Sequence, residues 1–177
     1  MKLSNAEKLI LVMLSDITEK LHIDHGIDPK LVKSAIHSGN AWGLDWKYPG
    51  LGESDEPAPA TAQEVTNLLE MWTYIEEAYK TLNSDEKSRV KAEAGLSGPP
   101  RFGGFDRDGE LELNNIAYFL IYDLKLFKRF KLDTLDAVTP KLPEYKRLYK
   151  VWSSVKPLLA GEGLSADQLI KILKAAN

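Results

Sequence analysis

No cysteine occurs among the 177 residues. Its absence excludes disulfides, a thiolate nucleophile and thiolate-held zinc or iron–sulfur centres. It fits a reducing compartment, and a cytoplasmic protein is expected. Histidine is nearly as scarce: His22, His25 and His37 are the whole set. Few ways remain to build a nucleophilic triad or a metal-hydrolase centre. Long apolar runs are also missing. Leu9–Leu14 is six residues long, whereas a bilayer span needs about 20. The segment after Met1 and Lys2 is too polar for a secretory leader, so neither export nor membrane insertion is expected. No stretch alternates apolar and polar residues with period two, and no repeat of fixed period occurs. Charge is mild, at −3, which argues against a general nucleic-acid coat protein.

What is present is apolar residues at helical spacing, in a chain that is 44% hydrophobic and long enough for a real core. Ser4 and Glu7 form a capping box, followed by Leu9, Ile10, Met13, Leu14, Ile17 and Leu21. Asp28-Pro29 opens a second helix, with Asp28 as cap and Pro29 in the first helical position. Residues 39–60 read as an irregular connection, aromatic up to Tyr48, then acidic and proline-bearing from Glu53 to Ala60. Thr61 and Glu64 suggest a second capping box, before a stripe of Val65, Leu68, Leu69, Trp72, Ile75, Tyr79 and Leu82. A polar helix from Ser84 should stop by Gly95. After a Gly-rich loop, a helix apolar nearly all round is expected over about 110–130, which places it at the centre of the molecule. Residues 144–156 follow as a helix that Pro157 ends. Ser165 and Gln168 cap the last helix. The fold class is therefore all-α, an orthogonal multi-helix bundle of six or seven helices. A helical N-terminal hairpin with its aromatic loop (1–60) leads into a helical body (61–177), together one compact unit.

Several of these segments, in this order, resemble the YfbU family of bacterial helical proteins. The likeness starts at Ser4-Asn5-Ala6-Glu7-Lys8-Leu9-Ile10-Leu11 and continues through Ile36, Gly39, Leu69-Glu70-Met71, Ile75, Tyr79 and Leu82. Its most distinctive part is Phe102-Gly103-Gly104-Phe105-Asp106 followed by Glu110 or Glu112 and the aromatic helix. It closes with Tyr145, Arg147, Leu148, Val151, Trp152 and Leu164-Ser165. The resemblance implies an all-α fold with a helical N-terminal portion, and it brings no activity to transfer. The prolines at 57–59 and the twin-Trp loop stand outside the shared pattern.

Four constellations are candidates for function. In the Gly-Phe-Asp loop, Phe102 and Phe105 flank two glycines, and Asp106 with Glu110 could hold a cation or cap the next helix. Spacing excludes a calcium loop there. A pocket shared with Trp152 is the corresponding ligand-binding expectation. The histidines, with Asp24, lack a metal-site pattern, and neither metal nor cofactor is expected. Trp42, Trp46 and Tyr48 offer apolar bodies with polar tips, suited to a partner surface or to covering the first two helices. Finally, residues 121–160 hold nine Lys or Arg against four Asp or Glu, while residues 1–60 carry a net −3. Lys125, Lys128, Arg129, Lys146, Arg147 and Lys150 are anion-binding candidates, with Lys131 beside them. Basic residues near a helix C-terminus also have a purely stabilising use.

With no catalytic set assembled, the expected function is a protein–protein interaction or regulatory module rather than an enzyme, binding an unknown protein partner or itself. One alternative is a small-ligand binder or enzyme using the Gly-Phe-Asp loop. The other is a DNA-associated regulator using the 125–150 cluster, for which no phosphate loop or RNA-binding pattern speaks.

Overall fold

A computed structural model describes residues 3–50, 58–156, 159 and 163–176. The acidic stretch from Glu53 and the proline at 157 lie wholly or partly outside these residues. Eight α-helices occur among the described residues: α1 (Asn5–Leu21), α2 (Pro29–His37), α3 (Trp42–Lys47), α4 (Ala60–Thr81), α5 (Ser84–Ala94), α6 (Leu111–Tyr118), α7 (Leu142–Val155) and α8 (Ala166–Leu173). Two strands of two residues each, β1 (Phe105–Asp106) and β2 (Asp136–Ala137), pair in parallel. The fold is an all-α bundle. None of its described helices is long and apolar enough to cross a membrane.

Local chemistry explains most helix starts. The Ser4–Glu7 box forms: the Ser4 N–H donates to Glu7 Oε2 at 2.7 Å, and the Glu7 N–H donates to Ser4 Oγ at 3.3 Å. Asp28 caps α2 by accepting from the N–H groups of Lys30 and Leu31. Ser165 and Gln168 close the box of α8. The expected Thr61 cap does not form, because α4 begins two residues earlier than that cap would set, at Ala60 with Pro59 before it. For α5 the cap is Asn83, boxed with Glu86, and Gly95 ends the helix in the left-handed region.

Helix α4 lies at the centre of the core. Val65, Leu69, Met71 and Ile75 are fully buried there, and α6, α7 and α8 pack around the helix. An aromatic cluster of Trp72, Phe102, Phe105, Phe130 and Tyr145, with ring centroids 5.2–6.4 Å apart, joins α4 and α7 to the loops between α5 and α7.

Two expectations change. The stretch from 39 to 60 is not wholly irregular, since α3 forms inside it. The helix expected over 110–130 ends early. After Tyr118 the backbone widens into a π-helical segment, Phe119–Asp123, and Lys125 takes a left-handed φ of 57°. A π-segment accommodates an extra residue per turn and recurs at functional sites. The cause of the break is tertiary. α3 docks here through Gly43, where a Cβ would lie 2.3 Å from the Phe119 ring, and the Trp42 ring meets Phe119 edge-on at 5.7 Å.

Candidate functional site

The Gly-Phe-Asp loop is a structural clasp. Phe102, Phe105 and Glu110 are buried. Glu110 accepts from three backbone N–H groups: Asp106 at 3.0 Å, Lys141 at 3.0 Å and Leu142 at 2.7 Å. It thereby holds the turn before α6 and the first turn of α7 with one carboxylate. The Asp106 carboxylate accepts from the N–H groups of Asp108 and Gly109, as an Asp in a tight turn does. Gly104 has φ +77°, and a Cβ there would fall 2.2 Å from the carbonyl of Leu135, so only glycine lets β1 meet β2. The Tyr145 hydroxyl accepts from the Gly103 N–H at 3.0 Å and donates to the Gly104 carbonyl at 3.1 Å. Burial pushes that phenol's pKa up. Asn114, which no sequence pattern flagged, donates through Nδ2 to the carbonyls of Phe105 and Leu135 and to the Asp136 carboxylate. Trp152 is fully buried on α7 against Tyr74. The expected pocket among Asp106, Glu110 and Trp152 is therefore replaced by packed core and satisfied backbone.

The aromatic loop folds inward. Trp42 is buried and its Nε1–H donates to Asn40 Oδ1 at 3.1 Å. Trp46 stacks edge-on against it and is 38% exposed. The Tyr48 hydroxyl accepts from the Asp28 N–H at 2.7 Å, which pins the turn between α1 and α2. Of the histidines, His22 caps α1 in the left-handed region and His25 Nδ1 accepts from the Ile27 N–H. Among the described residues no group of three or more His, Cys, Asp or Glu could hold a metal ion.

The basic candidates divide. Arg129 binds Glu76 and Glu77, Lys146 binds Glu64, and Arg147 is held by the carbonyls of Pro143, Ala175 and Ala176. Lys150 on α7 has no acidic partner among the described residues. Lys125 and Lys128 join Lys30 and Lys131 around an open cleft of about 770 Å³, beside the π-segment. None of these four ammonium groups has an acidic partner among the described residues. Asp28, Asp123 and Asp133 share the rim, and Leu31, Ile121 and Phe130 form an apolar floor. Asp123 accepts from the Ser34 hydroxyl at 2.8 Å. Burial raises its carboxyl above the ordinary range, with Asp28 adding to the rise and the Ser34 bond opposing it.

The largest departure from an ordinary surface is helix α1. It packs chiefly on α2, through a mixed side that carries Leu11, Val12, Ser15, Thr18 and Glu19. Ser15 is the only fully buried residue on it, and Lys33 of α2 reaches across to Asp16 and Glu19. The stripe of Leu9, Ile10, Met13, Leu14, Ile17 and Leu21, continued by Ile23 in the following turn, faces outward, with each side chain 49–63% exposed. Sequence periodicity found this stripe but not its direction. A groove of about 410 Å³, lined by Leu3, Ile10, Leu11, Ile27, Val32, Leu44 and Tyr48, adjoins it. An amphipathic helix ordinarily buries its apolar stripe, whereas α1 turns Leu11 and Val12 inward and leaves the larger stripe in solvent.

No solved structure matches this chain. The profile of the YfbU domain matches residues 1–175 of the 177, across the N-terminal hairpin, the clasp and the C-terminal helices alike. The chain belongs to the YfbU family.

Proposed function

We propose that the protein is a protein-interaction module whose working surface is the outward stripe of α1. The observation that carries this reading is the outward stripe itself: seven large aliphatic side chains lie in solvent along α1 and the turn that follows it. Contiguous exposed apolar patches beyond roughly 300–600 Å² are uncommon on soluble monomers and mark interaction surfaces. The clasp residues serve the fold, so they support an interaction role over catalysis. A hydrophobic reporter dye tests the reading. Ile10→Glu with Ile17→Glu should lower the protein's total capacity for dye plus partner contact and leave its helical circular dichroism unchanged. A variant that loses its helix content would show instead that the stripe is core.

A second reading rests on a separate observation, the cleft with its four lysines. It suits a small organic anion, with the ammonium groups on its charge and the apolar floor beneath. Inorganic pyrophosphate should raise the unfolding midpoint of the wild type and not that of Lys125→Glu with Lys128→Glu. Equal behaviour of the two chains would remove this reading.

A further inference from the structure

We infer that the occupant of the α1 stripe is a second copy of this chain, docked through an antiparallel, two-fold α1–α1 contact. This rests on the reading of α1 as an interaction surface and names its partner. Area is the first argument. Seven aliphatic side chains at 49–63% exposure leave roughly 700 Å² of apolar surface, against about 800 Å² per partner in an interface of standard size. Two such faces covered completely would bury at most about 1,400 Å², inside the range of roughly 1,200–2,000 Å² for specific stable complexes.

Composition is the second argument. The stripe is built of Leu, Ile and Met with no aromatic ring, and Lys20, seven residues after Met13, is the one charge set among them. Surfaces for exchangeable partners draw on Trp, Tyr and Arg anchors and a mixed polar character. Homodimer interfaces are the more apolar class and resemble a core cut in half. Lys33 pairs with Asp16, at the edge of the row, and with Glu19, on the side that faces α2.

Shape is the third argument. A helix of 17 residues is about 25 Å long, and the middle of its row is self-complementary about a point between Met13 and Leu14, while Leu9 and Leu21 fall opposite Thr18 and Ala6. Antiparallel pairing there sets Ile10 opposite Ile17 of the second copy and Met13 opposite its Leu14. A two-fold contact uses the same patch twice and closes, so assembly stops at the dimer.

The absence of cysteine makes the test clean. Met13→Cys and Leu14→Cys each carry a single thiol, and Ala92→Cys, at an exposed position of α5, is the control. A short bismaleimide should give covalent dimers from at least one of the first two and none from the control. Adding Ile10→Glu and Ile17→Glu should abolish them. Covalent dimers that survive those two changes, or that form equally with Ala92→Cys, would overturn the proposal. No covalent dimer, with strong dye binding that Ile10→Glu and Ile17→Glu remove, would overturn the second copy as occupant and leave the interaction surface standing. No covalent dimer and no dye binding sensitive to those residues would overturn both.

Discussion

Glu110 illustrates how one side chain can look functional in sequence and be structural in space. A carboxylate beside two glycines and two phenylalanines fits a ligand loop, yet its two oxygens are fully occupied by the N–H groups of Asp106, Lys141 and Leu142. Glu110→Gln replaces one acceptor oxygen with an amide that faces an N–H donor. It should cost about 1.5–3 kcal/mol of stability, the range for a lost hydrogen bond to a charged group. Urea unfolding monitored by circular dichroism checks this; a loss within error of zero would mean that the three N–H groups find other acceptors. Gly104 and Asn114 belong to the same clasp. Gly104 is legible as a turn glycine, whereas a buried Asn carries no periodic signal and is found only through its neighbours. The same holds for Lys30, which reaches the cleft from α2, far in sequence from Lys125 and Lys128.

At the scale of elements, the π-segment sets the geometry of the cleft, and Asp123 ends it. Burial holds the Asp123 carboxyl above the usual range, so the folded chain keeps that proton to a higher pH than the unfolded chain does. Stability therefore falls as pH rises from the ordinary carboxylate pKa through the raised one, and the deficit persists at neutral pH. Asp123→Asn retains an acceptor for Ser34 and removes the buried charge. Its unfolding midpoint should exceed that of the wild type at neutral pH, and the two should converge below about pH 4. A variant that is no more stable at neutral pH would show that the charge is well solvated. Elements set by local chemistry were readable from the sequence: the Ser4–Glu7 and Ser165–Gln168 boxes, the Asp28-Pro29 start and the Gly95 stop. The early end of α6 was not, because Gly43 and Trp42 of α3 impose it from outside the segment. The β1–β2 pair was not either, since two residues per strand are too few to show a period.

On the scale of the whole molecule, the core and the interaction surface are built from the same kind of residue. Leu68 and Ile75 on α4 and Ile10 and Ile17 on α1 are large aliphatics seven residues apart, yet the first pair is buried and the second exposed. Periodicity identifies an apolar face; only tertiary packing decides whether that face meets its own chain or another. Here the aromatic clasp and α4 complete the core without α1, and α1 is left attached to α2 through Leu11, Ser15 and the Lys33 ion pairs. Sedimentation equilibrium across a range of protein concentrations, run on the wild type and on Ile10→Glu with Ile17→Glu, tests this account most directly. It predicts a wild-type mass of twice the chain and a variant of single-chain mass with unchanged helix content. A wild type that stays at single-chain mass at every concentration, or a variant that keeps the doubled mass, would contradict it.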